Sequence, residues 1–449
     1  MNECSSSKEF IRIFVPIRNF VVIMKKPKFQ SPTGMHDILP EEQKYFQRIY
    51  DVVENIVNFY GFKKIDTPIL EDTDLFSKGI GINTDIVGRE MYNLKTKGGD
   101  YLSLRPEGTA PVARAFIEHG MQNLPQPVKL WYFGPFFRYE RSQQGRFRQF
   151  WQFGFEVFGE TGAVIDVQSI QIFYNILREL RLKNLFIEIN NIGDSQCRPY
   201  YKKLLVSYFK SRETNLCSDC KRRLRENPLR ILDCKEEKCH PVISQAPQMI
   251  DHLCEECHDH FKEVLEFLDE IELSYSLNPH LVRGLDYYTK TVFEISQQSP
   301  EGKSRGSLVG GGRYDVLTKL LGGKPTPACG GAAGIERIVA VMKENNVKFP
   351  ESSSPKLFLA QLGTLAKRKS LKLLEDFRKQ KIQVSESFGR DSLKAQLARA
   401  NKIGVKYALI LGQREALENQ ILIRDMTTGK QETVKLDNLV REVEKRIKK

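Results

Sequence analysis

Between residues 146 and 156, Arg148, Gln152 and Glu156 recur at even spacing, with Gly154 between the last two. Side chains two apart share one face of a strand, so these three would stand together. Phe147, Trp151, Phe153, Phe155 and Val157 would turn to the other face and pack. Just upstream, Arg138 and Glu140 share a face while Phe137 and Tyr139 point away. Paired, the two strands would offer two arginines, two glutamates and a glutamine to one surface. A guanidinium is a planar fork that grips phosphate or carboxylate and never deprotonates, so the chemistry expected is recognition of an anion. A polar strand face is commonplace alone, but three other segments supply matching pieces. Arg105-Pro106-Glu107-Gly108-Thr109 sets a carboxylate and a hydroxyl at a strand-to-helix junction, although Thr109 could simply cap the helix. Leu281-Val282-Arg283-Gly284-Leu285-Asp286-Tyr287-Tyr288 brings a cation and two phenols beside a glycine. Gly330-Gly331-Ala332-Ala333-Gly334 offers small residues for close helix packing, with Arg337 one turn into the helix that follows.

The elements that position these residues follow from periodicity. Pro40 opens a helix in which Tyr45, Ile49, Val52, Val53, Ile56, Val57 and Tyr60 recur at helical spacing until Gly61. Residues 62–70 predict a strand whose Pro68 suits an edge or an interface. Strands at 91–94 and 101–104, a helix at 110–118, the two long strands, a helix at 163–182 and a strand at 185–190 come next. Runs of strands with helices at their edges imply an α+β fold with an antiparallel sheet, not a βαβ repeat. Residues 194–274 change character: helical, charged, and home to most of the nine cysteines. Sheet-like sequence returns at 281–295, followed by a helix at 335–343. Glu351-Ser352-Ser353-Ser354-Pro355 reads as a linker. Beyond it, strands at 357–362, 383–386, 407–411 and 421–425 alternate with helices at 367–379 and 393–403. The domains expected are 28–193 with 275–348, interrupted by a helical insertion at 194–274, and a separate α/β domain at 355–449. Residues 1–27 are expected to be a dispensable extension, with Met24 as the candidate start.

Bulk properties bound the answer. A chain of 449 residues exceeds one ordinary core. Its 41% hydrophobic and 28% charged residues match a soluble globular protein, and a net charge of +13 favours an anionic partner. No window approaches the roughly 18 apolar residues of a membrane span. The apolar stretch at 11–24 is broken by Arg12, Pro16, Arg18 and Asn19 and lacks a cleavage site, so a cytoplasmic location is expected. In such a compartment, Cys217-Ser218-Asp219-Cys220 and Cys254-Glu255-Glu256-Cys257, with Cys234 and Cys239 between, suggest zinc over disulfides. Cys217, Cys220, Cys254 and Cys257 would then form one four-thiolate site stapling the insertion; the alternative is a set of reduced structural thiols. His258 and His260 are expected on a helix surface.

Taken in order, the pieces resemble the class II aminoacyl-tRNA synthetases, and within them the histidyl-tRNA synthetase family, from about residue 28 to the C-terminus. The first helix and the Pro68 strand resemble motif 1, residues 137–156 motif 2, and 330–339 motif 3. RPEGT (Arg105–Thr109) and LVRGLDYY (Leu281–Tyr288) resemble the histidine-specific signatures. The resemblance implies a homodimeric ligase that activates L-histidine with ATP and Mg²⁺ and then charges tRNA(His). It implies that Arg138 grips the α-phosphate and the substrate carboxylate, that Arg337 takes the distal phosphates and that Glu140 meets the adenine region. Arg283 would support attack on the α-phosphate. Glu107, Thr109 and Gln152 would hold the ammonium and carboxylate, while Glu156 and Tyr288, with Tyr287 beside them, would read the imidazole. Trp151, Phe155 and Ser142 depart from the family pattern; the first two lie on the packing face and Ser142 in the loop that meets the acceptor end. The last domain resembles the class IIa anticodon-binding domain, where Arg390, Lys394, Arg399 and Lys402 could meet RNA backbone or form a solvated face. The synthetase-like regulatory subunit of ATP phosphoribosyltransferase lacks that domain. Proline and glycine synthetases do not combine LVRGLDYY with a residue matching Glu156.

Overall fold

The computed structural model describes residues 28–140, 146–298, 304–348, 355–389 and 392–447. The expectations for residues 1–27, Met24, Ser142, the serines of the linker and Arg390 lie outside the described residues. Two compact units divide the chain, one ending at Val347 and the other beginning at Lys348.

In the first unit the strands are β1 (Lys63–Lys64), β2 (Leu70–Asp72), β3 (Tyr92–Lys95), β4 (Tyr101–Leu104), β5 (Val128–Phe137) and β6 (Gln149–Phe158). They continue with β7 (Leu185–Asn191), β8 (Ser276–Leu277), β9 (Thr289–Gln298), β10 (Ser304–Arg313) and β11 (Ala328–Gly334). Eight of them form one sheet in the order β1-β5-β6-β11-β10-β9-β7-β8, and β2-β4-β3 form a small second sheet. The six inner strands are antiparallel to their neighbours. The two-residue strands at the edges join in parallel. The sheet is therefore the expected α+β sheet with short parallel flanks.

Helices α1 (Pro40–Phe59), α2 (Thr73–Ile80), α3 (Thr109–Glu118), α4 (Ala163–Glu179), α5 (Arg198–Lys210), α6 (Ser218–Glu226), α7 (His240–Ile243), α8 (Glu255–Glu270), α9 (Leu317–Leu320) and α10 (Ile335–Glu344) complete the unit. The apolar face of the long strands packs on helices, as the alternation predicts. Phe155 stacks on Phe173 of α4 at 4.2 Å between ring centres, and Trp151 meets Phe46 of α1 edge-on at 5.9 Å. Trp151 and Phe155 thus lie on the packing side.

Several elements differ from expectation. The strand expected at 62–70 is broken into β1 and β2, and Arg105 takes up the intervening backbone through a 2.8 Å bond to the Thr67 carbonyl. Residues 330–334 belong to β11, a central strand, and its small residues do allow close helix packing, with Gly331 against Phe173 of α4. The stretch 281–288 precedes β9 and is not extended. β5 ends at Phe137, so Arg138 and Glu140 lie just past it, still held to the partner strand by the Arg138 N–H to the Arg148 carbonyl at 2.9 Å. The His260 side chain is turned inward and only 8% exposed: its Nε2 lies 2.7 Å from Asp166 of α4, which also takes Arg313 of β10 at 2.7 Å. His258 is exposed. Residues 198–270 supply α5 to α8, and Tyr201, Leu205 and Phe209 share one buried cluster with Phe76 and Phe116.

The second unit holds β12 (Leu357–Gln361), β13 (Val384–Glu386), β14 (Tyr407–Leu411), β15 (Gln420–Asp425) and β16 (Gln431–Lys435) in the order β13-β12-β14-β15-β16. Helices α11 (Thr364–Lys379), α12 (Leu393–Ile403), α13 (Gln413–Leu417) and α14 (Leu439–Ile447) flank it. Lys394, Arg399 and Lys402 are exposed on α12. No helix among the described residues is long and apolar enough to cross a membrane.

Candidate active site

The polar face of the large sheet has a bare floor. One cross-strand row runs Tyr132, Gly154, Ala332, Gly310, Glu294 across β5, β6, β11, β10 and β9. Residues directly opposite one another share a face, so small residues occupy the centre and functional ones the ends. The glycines are sterically required. A Cβ on Gly310 would collide with the Arg283 guanidinium, and one on Gly154 would strike the Tyr132 hydroxyl and lie 2.6 Å from the Gly331 carbonyl.

Two buried carboxyl groups stand at one end. Glu107 accepts the backbone N–H groups of Thr109 at 2.7 Å and Ala110 at 2.8 Å, so it holds the start of α3. Thr109 is consequently free of the capping role and donates its hydroxyl to Glu156 at 2.8 Å. Glu156 also takes hydroxyls from Tyr314 and, at 3.4 Å, from Tyr132. Burial pushes its carboxyl up to about 8, against the lowering by the Tyr314 and Thr109 hydroxyls. Glu107 is raised too, by burial, despite its two backbone donors. Tyr287 donates to Glu107 at 3.3 Å, and burial raises the Tyr288 hydroxyl to about 12. Gln152 stands two residues from Gly154, and its Oε1 is a buried acceptor without a protein donor. Such a set suits a ligand that brings N–H groups, since an unmet buried acceptor carries a desolvation cost of about 1–3 kcal/mol.

Three arginines mark the other side. Arg138 donates Nε to the Pro106 carbonyl at 2.8 Å, covers Phe150, and lies 3.8 Å from Glu140. Arg283 pairs with Glu294 and has its guanidinium carbon 5.8 Å from the Tyr288 ring centre. Arg337, at the start of α10, donates to the Ser307 carbonyl at 2.7 Å. Its pKa is lowered, first by burial and then by the neighbouring cations Arg146 and Arg138, with Glu140 opposing. Crowded guanidinium groups around a bare floor suit a polyanion, which relieves their repulsion. Arg148, expected on the same face, instead lies 3.8 Å from the Tyr139 ring centre, with Nε to the Glu140 carbonyl at 3.3 Å. Tyr132, Tyr314 and Glu294 belong to the site although no motif marked them. Of these only Tyr314 has a sequence signal, its place just after the Gly310-Gly311-Gly312 run.

Among the described residues, the cysteines of the insertion form two clusters, which corrects the single four-thiolate site expected. Cys217 and Cys220 join Cys234 and Cys239; Cys254 and Cys257 join Cys197 and Asp194. In each, the ligand atoms lie within 4.8 Å of one another. The sequence signal overlooked was Asp194-Ser195-Gln196-Cys197, which has the same i, i+3 spacing as the two CxxC pairs.

Comparison with known proteins agrees with this geometry. The histidyl-tRNA synthetase family matches residues 34–338, and the anticodon binding domain family matches 356–446. The histidine–tRNA ligase of Dehalococcoides mccartyi is 45% identical over 419 residues, covering 93% of this chain and all of the relative. That of Desulforamulus reducens is 44% identical over 409 residues, covering 91% of this chain and 97% of its own. The crystal structure of apo S. aureus histidyl-tRNA synthetase superposes with a TM-score of 0.76 at 36% identity, covering 92% of this chain and 99% of that one.

Proposed function

The chain belongs to the histidyl-tRNA synthetase family and ligates L-histidine to tRNA(His) with ATP, and on that premise we propose how its pocket divides the work. Adenylation joins a histidine carboxylate oxygen to the α-phosphorus and expels pyrophosphate. Mg²⁺ arrives with ATP as part of that substrate. Bringing a carboxylate to a polyanion requires charge neutralisation and in-line placement. Arg138 grips the α-phosphate and the carboxylate of histidine, Arg283 steadies the α-phosphate during attack, and Arg337 holds the distal phosphates. Glu140 meets the adenine region. Glu107, Thr109 and Gln152 receive the ammonium and carboxylate groups, while Glu156 and Tyr288, beside Tyr287, read the imidazole. Apolar amino acids would leave these buried polar groups unpaired, a rejection of about 10⁴-fold or more.

One observation carries this division: Arg138, Arg283 and Arg337 border a sheet floor whose central positions are only glycine and alanine. Histidine-dependent exchange of labelled pyrophosphate into ATP tests it. Arg283→Ala should lose roughly 10²-fold or more of the exchange while keeping its circular dichroism spectrum. Normal exchange in that variant would remove the role given to Arg283.

In the second stage, the activated histidine passes to the terminal ribose of tRNA(His), with the anticodon-binding unit reading splayed bases. We place the protein in the cytoplasm and read it as a homodimer, the dimer being supported by the exposed apolar residues Ile69, Leu70, Leu94 and Tyr101 at or beside the small sheet. A monomer mass by light scattering at working concentration would defeat the dimer. A structural zinc is assigned to Cys217, Cys220, Cys234 and Cys239. The backbone N–H of Cys217 already points at the Cys239 sulfur at 3.2 Å, and that of Cys220 at the Cys217 sulfur at 3.4 Å.

A further inference from the structure

Asp194 and Cys197 lie where the insertion begins, and Cys254 and Cys257 at the start of its last helix. We propose that these four residues form a second metal site, separate from the four-cysteine cluster. It would clasp the two ends of the insertion together and set the backbone of the segment that reads histidine.

The spacing is that of two facing knuckles, D-x-x-C and C-x-x-C. A tetrahedral zinc with Zn–S near 2.3 Å requires sulfurs about 3.8 Å apart, and with Zn–O near 2.1 Å a sulfur and oxygen about 3.6 Å apart. Cys197 and Cys257 have their sulfurs 3.8 Å apart. Asp194 Oδ1 lies 3.4 Å from the Cys197 sulfur and 4.0 Å from that of Cys254. Three thiolates and one carboxylate suit zinc or another soft divalent ion. The anionic site has compensation: Cys197 and Cys254 are the residues preceding α5 and α8, whose positive ends favour thiolates. Arg198 follows directly. Cys254 makes no capping bond to α8, so its sulfur faces the cluster instead of its own helix.

The link to the pocket is one residue long. Arg198 donates to the Tyr288 carbonyl, and at 3.3 Å to that of Gly193. The backbone of 192–193 pairs with Lys290, through Ile192 N–H to Lys290 O at 2.8 Å and Lys290 N–H to Gly193 O at 2.9 Å. Lys290 also pairs with Glu256, inside the C-x-x-C, at 2.6 Å. Fixing Cys197 therefore fixes the carbonyl that follows the Tyr288 ring. The coupling to histidine rests on the role proposed for Tyr288, whereas the metal site itself does not.

Zinc is counted by elemental analysis and native mass spectrometry on the full chain, purified reduced and without chelator. Two ions per chain are expected, falling to one in Cys254→Ser and to one in Cys234→Ser. Serine is a good residue to precede a helix, so Cys254→Ser keeps the start of α8. If that variant still fails to fold, zinc-dependent protection of Cys254 and Cys257 from alkylation in the unaltered protein decides the matter. In pyrophosphate exchange, Cys254→Ser should raise KM for histidine about 10-fold and leave KM for ATP within about twofold. One ion per chain that Cys254→Ser leaves in place, or a Cys197–Cys257 disulfide in the freshly isolated protein, would overturn the site. Two ions with an unmoved histidine KM would overturn the coupling.

Discussion

At the scale of single residues, the specificity role proposed for Glu156 would be tied to stability. Its carboxyl ionises near 8 when folded and near the ordinary 4.5 otherwise. The folded protein therefore holds the proton more tightly, and its stabilising contribution, complete below about 4.5, is lost as pH rises toward 8. Glu156→Gln removes that slope. The variant should match the parent within about 1 kcal/mol at pH 5 and exceed it by on the order of a few kcal/mol at pH 8.5, while binding histidine far more weakly. Urea midpoints at the two pH values check this, and parallel shifts would sink it. Glu107, Glu156, Arg138 and Arg283 were legible because each sits in a short motif at fixed spacing. Tyr132 and Tyr314 were not: the first lies in an apolar run and the second after a glycine run, and neither looks functional until its hydroxyl is seen on a carboxylate.

At the scale of elements, the glycines of β6 and β10 separate catalysis from folding. Gly310→Ala would push on the flexible Arg283 side chain, so the fold should survive with exchange reduced by roughly 10²-fold. Gly154→Ala meets the Gly331 carbonyl at 2.6 Å, a backbone atom that cannot step aside; it should cost about 1–3 kcal/mol of stability. Thermal midpoints beside exchange rates check both, and equal destabilisation by the two changes would contradict the distinction. The same glycines explain why the sheet was only partly legible. Helices with apolar periodicity, such as α1 and α4, followed from sequence within a few residues. β11, glycine and alanine apart from Cys329, lacks the β-branched and aromatic residues that announce a strand, and only its neighbours define it.

At the scale of the molecule, Asp166, Arg313 and His260 tie α4, β10 and α8 together inside the first unit. Against burial, which raises it, the Arg313 charge and the His260 bond hold the Asp166 carboxyl down to about 2. Its contribution is thus present above the ordinary value and lost as pH falls through about 2. Asp166→Asn removes the nearer of two carboxylates on buried Arg313, leaving only Asp315 at 3.3 Å, and should cost about 3 kcal/mol, read from denaturant midpoints near neutral pH. A loss under 1 kcal/mol would show the triad to be dispensable. The expectation of a surface His260 fails because its partner lies 94 residues away, beyond any local pattern. In the second unit, replacing Lys394, Arg399 and Lys402 by glutamine should raise KM for tRNA and flatten its dependence on salt. Pyrophosphate exchange, which needs no tRNA, should not change; an unaltered salt slope would mark those residues as a solvated face.

The large sheet also guards its own margins. Both flanking strands, β1 and β8, are two residues long, and Pro68, which has no N–H to lend, follows soon after β1. A newcomer finds almost no ladder to extend, so eight strands meet the cell without a template for adding a ninth. Substitutions that lengthen either margin would turn this ligase into a seed for edge-to-edge aggregation.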